Sequence, residues 1–376
     1  MFYIKKIVLA VVLGCICVGG IAQETRKYSN EFLSLGIGGR ALAMGNVQGA
    51  VVDDVTAAYW NPAGLSNLTT FQLAYMHAEW FAGIAKYDYA GFALPIADRK
   101  RTIGLSVIRF GVDDIPNTLR IIEPDGSVNY DNITTFSAAD YAFLLSYAQR
   151  IKKVRVGANA KIIHRIVGSF AKSWGLGLDL GAQFDLSSRF KLGITVKDFP
   201  TTFNTWGYSF TEEEKQLLSL AGQVIPVNST ELTGQRTIVS TAYNQPIGKK
   251  MNLLAVLDLD ITTDGKRNTL LKTDFMSIDP HLGLELDYAK TVFLRAGFNN
   301  IQQYADANGK NTTSIQPNVG AGFRLRDNKK HRIPEVRVDY AFTGLNRSGE
   351  GLYSHVISLI VALEKKQNTT GNTQSK

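Results

Sequence analysis

Cysteine, histidine and long apolar runs are all scarce in this 376-residue chain, and each scarcity excludes something. Two cysteines cannot build a disulfide-rich scaffold or a cysteine-based zinc module. No apolar stretch near the roughly 18 residues of a membrane-spanning helix occurs beyond the N-terminus, which excludes a polytopic helical membrane protein. None of His77, His164, His281, His331 and His355 falls in a His-Glu-x-x-His spacing. A Gly-x-Ser-x-Gly elbow and a phosphate-binding Gly-Lys-Ser/Thr loop are also lacking. The glycines from Gly36 to Gly45 follow no buried strand, as a dinucleotide fingerprint requires. The sequence thus points to no catalytic site, metal or cofactor. Charge is present but unbalanced, with 41 Lys+Arg against 33 Asp+Glu and a net +8. That excess raises the question of nucleic acid, which the positions of the charges answer.

The first 22 residues read as a secretory signal peptide. Lys5 and Lys6 supply the positive start, Ile7 to Val18 the apolar stretch, and Gly20-Ile21-Ala22 the small residues before a cut at Gln23. A lipoprotein cut at Cys15 is the weaker alternative. Cys15 and Cys17 both lie inside this leader, so the exported chain carries no disulfide.

From about residue 71 the dominant period is two. Trp174, Leu176, Leu178 and Leu180 alternate with Gly175, Gly177, Asp179 and Gly181, and Leu282, Leu284 and Leu286 with Gly283, Glu285 and Asp287. Val292, Leu294, Ala296 and Phe298 alternate likewise with Arg295, Gly297 and Asn299, and Val336, Val338 and Tyr340 with Arg337 and Asp339. The pattern predicts fourteen strands, at 71–79, 86–95, 102–110, 140–149, 153–167, 174–185, 190–199, 236–246, 251–262, 280–289, 291–299, 316–326, 335–343 and 354–364. Most match the roughly 9–11 residues that a tilted strand needs to cross a bilayer, and an even count suits closure.

Alternate links are short and basic, among them Arg99-Lys100-Arg101, Arg150 to Lys153, Gly248-Lys249-Lys250 and Arg326 to Lys330. The others are longer and polar, notably 111–139, 200–235, 263–279 and 300–315. Short turns on one rim and long loops on the other are the asymmetry of an outer-membrane barrel. The basic turns absorb much of the positive charge, so nucleic acid is not an expected partner. A soluble sandwich or propeller would also alternate. Glycine on the polar face argues instead for a crowded lumen, and no blade-like repeat is visible. The expected fold class is all-β, a transmembrane antiparallel β-barrel of about 14 strands with a short helical N-terminal segment folded into its lumen. The expected organisation is 1–22 signal peptide, 23–70 plug-like segment, 71–364 barrel and 365–376 polar tail.

Residues 32–68 have a different texture. Ala41 to Met44 is a short helix former between glycines. Asp53 or Asp54 is placed to cap a second short helix running to Tyr59. Asn61-Pro62-Ala63-Gly64 reads as a turn, with Gly64 free to take positive φ. A segment this rich in small residues can narrow or close a lumen, or serve as a simple lead-in.

Two blocks carry a family resemblance: Gly39-Arg40-Ala41-Leu42-Ala43-Met44-Gly45, and Asp53-Asp54-Val55-Thr56-Ala57-Ala58-Tyr59-Trp60-Asn61-Pro62-Ala63-Gly64-Leu65. Together they resemble the N-terminal signature of the PorV/PorQ family, within the larger superfamily of FadL-type outer-membrane transporters that share the Asn-Pro-Ala-Gly turn. The resemblance implies a Bacteroidetes-type outer membrane and a role in or beside type IX protein secretion. Its implied partners are outer-membrane lipid, a large translocon barrel and secreted cargo. The signature residues it singles out are Gly39, Arg40, Ala41, Met44, Gly45, Asp53, Asp54, Trp60, Asn61, Pro62 and Gly64. One departure is the C-terminus, where a polar tail follows Leu363 in place of a terminal aromatic.

The residues themselves leave two functions open. In the first, the chain is a docking barrel, and Phe203, Trp206, Tyr208 and Phe210 form an apolar recognition patch on a long loop. In that case the lumen is filled. In the second, it is a channel for a hydrophobic small molecule, with a sizeable apolar pocket between plug and strands. His77 and Glu79 are expected to share the lumen face of the first strand, and Asp258 and Asp260 to be solvated lumen acids or a cation path.

Overall fold

The computed structural model describes residues 29–96, 100–123, 126–305, 311–326, 334–347 and 350–363. The leader and the polar tail lie outside the described residues, as does most of the basic turn near Lys330. Fourteen long antiparallel strands close into one barrel: β1 (Phe71–Trp80), β2 (Ala85–Ile96), β3 (Arg101–Asn117), β4 (Thr134–Ile151), β5 (Val154–Val167), β6 (Ala171–Asp185), β7 (Phe190–Tyr208), β8 (Ser229–Ile247), β9 (Met251–Thr262), β11 (Ser277–Tyr288), β12 (Val292–Ala305), β13 (Asn311–Leu325), β14 (Glu335–Arg347) and β15 (Glu350–Leu363). A two-residue strand, β10 (Leu271–Lys272), adds to the edge of β11. Closure comes from β1 on β15, with Phe71 opposite Leu363 and Glu79 opposite His355. Every long strand therefore has two partners, and no edge is left unpaired.

The alternation in the sequence is the wall seen from both sides. Trp174, Leu176, Leu178 and Leu180 of β6 are exposed on the outside, while Asp179 and Gln183 are buried in the lumen. An apolar outer band is what hydrocarbon requires of a barrel. No described helix is long and apolar enough to cross a membrane.

Strand boundaries agree with the sequence at the short-turn rim and overrun it at the other. β3 reaches Asn117 and β4 begins at Thr134. β7 continues to Tyr208, and β8 starts at Ser229. The sequence reading stopped β7 at Pro200, and the ladder there is indeed broken: pairing with β8 is lost between Lys197 and Thr201. A proline has no N–H to donate. Pairing resumes beyond it because Thr201 to Tyr208 again alternate β-branched, aromatic and small residues. The wall is thus taller than a bilayer on the long-link side, and the loops 111–139 and 200–235 are shorter than expected.

His77 and Glu79 are a correction. They point outward, and the lumen face of β1 is Ala74, Met76, Ala78 and Trp80. The polar face is normally the lumen face, but here the lumen is occupied by an apolar body. The outer face of β1 turns polar only as it nears the rim. There, His77 Nδ1 lies 2.8 Å from Asp88 Oδ1 on β2.

Candidate functional site

Residues 29–70 fill the lumen as a plug of short helices (Gly39–Ala43 and Ala57–Trp60) and 3-10 turns (Glu31–Ser34 and Pro62–Asn67). The Asn61-Pro62-Ala63-Gly64 turn becomes the start of the second 3-10 turn. Asn61 caps it, its Oδ1 accepting from the Ala63 N–H at 3.2 Å, and Pro62 takes the first position, where no N–H is needed. Asn61 Nδ2 then donates to the Gly49 carbonyl at 2.8 Å and to Ala182 of the barrel at 3.1 Å. Gly64 does not need positive φ; it needs room, since a Cβ there would sit 2.4 Å from the Val52 carbonyl.

The inward glycines of the barrel have the same cause. A Cβ on Gly157 would meet the Pro62 carbonyl carbon at 2.4 Å, and one on Gly297 the Met44 carbonyl carbon at 2.2 Å. Plug backbone lies directly on barrel backbone at these points. On the β1–β5 side the contact is apolar: Ile37, Leu42, Val55 and Leu65 of the plug share one buried cluster with Met76, Tyr87, Tyr89, Ile108 and Ile163. Trp60 and Tyr59 pack edge to face at 4.8 Å, and the Trp60 Nε1–H donates to the Ile37 carbonyl at 3.1 Å. Met44 belongs to a second small cluster with Val47 and, from the barrel, Leu254 and Val256.

On the β11–β14 side the contact is ionic. Arg40 grips Glu285 of β11 with two bonds of 2.9 Å. Glu285 also accepts from Arg295 of β12 at 2.6 Å, and Arg295 donates to Asp339 of β14 at 2.8 Å. Asp339 accepts from Arg337 at 2.8 Å, and Arg337 reaches Asp54 at 2.5 Å. Six charges alternate in sign, and the row begins and ends on the plug. Burial alone would raise the Asp54 carboxyl, but the Arg337 guanidinium and the Thr56 hydroxyl hold it below the usual carboxylate range. Burial would likewise favour loss of the Arg40 proton, and Glu285 and Asp53 reverse this.

The expectation that Asp53 or Asp54 caps the second helix is not met. Thr56 is the N-cap of helix Ala57–Trp60, without a side-chain cap bond, and Asp54 Oδ1 accepts from the Thr56 N–H at 2.9 Å. Asp53 is the exposed member of the pair, 3.5 Å from Arg40. Gly39 presses on the Asp339 backbone and donates its N–H to Ser358 at 2.9 Å. Ala41 is buried, and Gly45 takes φ 68° with its carbonyl 3.2 Å from His281 Nδ1. All eleven signature residues therefore lie in the plug, where most of them touch the wall.

Asp258 and Asp260 do face the lumen, but neither is a free solvated acid. Asp258 accepts the backbone N–H groups of Gln48 and Gly49 at 3.1 and 3.3 Å, pinning the plug to β9. Asp260 lies 3.4 Å from Arg236. The proposed loop patch is also different from its expectation. Phe203, Trp206 and Tyr208 belong to the upper part of β7, and only Phe203 is exposed on the outer face. Trp206 turns inward, its ring covered by the Arg165 guanidinium at 5.0 Å. Trp206, Tyr208, Phe210 and Phe170 stack in sequence at 5.9–6.4 Å. The patch packs largely on itself.

Among the described residues, spaces flank the plug at both ends. At the short-turn end is a cavity of about 120 Å³ bordered by Asp53, Asp54, Arg324, Glu335 and Arg337. At the long-link end is one of about 400 Å³. One part of its lining is aromatic, with Tyr59 and Trp60 from the plug and Trp80 and Phe81 from the end of β1. The remainder is mostly polar, drawn from the plug, from β7, β8, β9, β11, β12 and β13 and from the link after β9, and includes Lys197, Arg236, Asp279 and Asn299. Neither expected extreme holds, because the lumen is filled through its middle and hollow above it. The sequence reading missed Lys161, Lys197, Arg236, Glu285, Arg295 and Arg337. Their signal was a charge at an inward register position of a strand.

A family profile described as an uncharacterised protein family, UPF0164, matches residues 17–175. No protein in the curated collection matches the chain. Solved structures do match: the CymD monoaromatic hydrocarbon channel, with TM-score 0.55 and 13% identity over 88% of this chain and 98% of that one. The Ralstonia pickettii toluene transporter TbuX gives 0.51 and 13% over 88% and 99%. A Pseudomonas aeruginosa FadL homologue gives 0.50 and 13% over 87% and 98%. The fold is FadL-like. At this identity the likeness concerns the fold alone, and none of the three is titled as a PorV/PorQ protein or a secretion component.

Proposed function

We propose that the chain is an outer-membrane channel that takes small, largely hydrophobic molecules from the long-link side and is held closed by its N-terminal plug. The observation that carries this reading is the 400 Å³ cavity, walled jointly by plug and strands and lined on one part by Tyr59, Trp60, Trp80 and Phe81. Its size falls in the range of small-molecule sites, and a site shared between a wall and a plug couples occupancy to closure. The hydrocarbon and toluene channels of the same fold support the choice of solute. The reading involves no catalytic step.

Calorimetric titration of the full chain in detergent with 1-naphthamide tests it. Saturable binding is expected, and an Asn299→Phe variant, which fills the cavity from β12, should abolish it. Absence of saturable binding in the parent chain overturns the reading. A second reading, an accessory barrel of type IX secretion, rests on the signature resemblance at Gly39–Gly45 and Asp53–Leu65. Co-purification from native outer membranes with a giant barrel or with exported cargo would favour it over the channel.

A further inference from the structure

Two lysines, Lys161 and Lys197, are buried in the lumen within one patch of wall, and they are treated differently. Lys161 on β5 is clasped by two carboxylates, Asp179 at 2.9 Å and Asp198 at 2.6 Å. Lys197 on β7, 6% exposed, has no carboxylate within 4.0 Å among the described residues. Its ammonium instead lies 4.0 Å from the centre of the Tyr59 ring and 5.6 Å from that of Trp60. The other cations of the same cavity are answered: Arg236 by Asp260 at 3.4 Å, and Arg267 by Asp264 at 2.6 Å. A buried ammonium that borders an open space and lacks a counter-ion is costly unless an anion arrives with the occupant.

From this we infer that the cavity above the plug is a binding site for a compact aromatic anion, with its carboxylate on Lys197 and its ring against the Tyr59–Trp60 and Trp80–Phe81 surfaces. The inference rests on the channel reading and narrows its solute class. The wall contributed by β9 and β11 carries Asp258, Asp260 and Asp279, with Asp260 beside Arg236 and Asp279 beside His281, so it offers an anionic head no cation without a carboxylate of its own. Lys197, opposite Arg236, is the last β7 residue paired with β8 before the ladder breaks, and pairing resumes only at Thr201. The cation–π contact keeps the ammonium aimed along the plug's aromatic pair while the cavity is empty.

The test is a calorimetric comparison of 1-naphthoate, the neutral 1-naphthamide and the cationic 1-naphthylmethylammonium on the full chain in detergent. Naphthoate is expected to bind at least about tenfold tighter than the amide, the scale of one charge-assisted hydrogen bond, and the ammonium compound most weakly. Lys197→Met, which keeps the length of the side chain, should abolish the preference for naphthoate over the amide; Lys197→Arg should keep it. Heat-dependent migration on a gel verifies that each variant is a closed barrel. Equal binding of anion and amide, or a preference that survives in Lys197→Met, overturns the inference and leaves the channel reading intact. Failure of all three probes overturns both.

Discussion

The plug is held by two walls of opposite chemistry. Against β1–β5 it presents Ile37, Leu42, Val55 and Leu65 to Met76, Tyr87, Ile108 and Ile163, a contact made of shape and excluded water. Against β11–β14 it presents Arg40 and Asp54 to Glu285, Arg295, Asp339 and Arg337, a contact made of paired charges. The first kind of contact degrades in small steps as methyl groups are removed. The second loses more at a single step, because removing one member leaves its neighbours charged, buried and short of a partner. On the proposed channel reading the division has a use: the apolar wall seats the plug, and the ionic row latches it.

The largest effect is therefore expected from the middle of the row. Arg295→Met cuts the row in two: Glu285 and Asp339 each lose a guanidinium within 2.8 Å and keep one partner apiece, Arg40 and Arg337. A loss of about 3–5 kcal/mol is expected, together with an ion leak in planar bilayers where the parent is closed. A variant that stays closed and unfolds at the parent's urea concentration would show that the row is not a latch. The matched change on the other wall is Ile108→Val, which removes one methyl from a fully buried position. Its expected cost is about 0.5–1.5 kcal/mol, read from the same urea titration, with no leak. A leak there would erase the distinction between the walls.

The barrel itself was legible because a two-residue period survives any filling of the lumen. Strand positions from β1 to β15 follow the alternation, and the overrun of β7 was hidden by Pro200 alone. The inward glycines were read as a sign of crowding, and Gly157 and Gly297 show the crowding to be plug backbone. What a single sequence conceals is which face of a strand meets which neighbour. His77 was assigned to the lumen because polar residues usually belong there, and the rule fails where an apolar plug replaces water. The partners of Arg40 and Asp54 lie more than two hundred residues away in the chain, on strands whose charges look like any other lumen charges. Only the closure of the barrel brings them together.

The smallest effect is expected from pH, and its sign follows from Asp54. Burial would raise this carboxyl, but Arg337 and Thr56 together hold it below its ordinary value. A group depressed in the folded state contributes its full stability above its unfolded pKa, near 3.9 for Asp, and loses it as pH falls through the folded value. Between pH 8 and 5 the latch should therefore neither tighten nor loosen on this group's account, and closure should weaken only in stronger acid. Conductance and urea midpoint followed from pH 8 to pH 3 check this, with Asp54→Asn as the reference, since its amide has no charge to lose at that end of the row. A parent that loosens near pH 6 while Asp54→Asn does not would mean that Asp54 is protonated far above its expected range and that the row's last link is the weak one. A shared loosening near pH 6 would place the sensitive group elsewhere, with His281 beside the Gly45 carbonyl the first to replace.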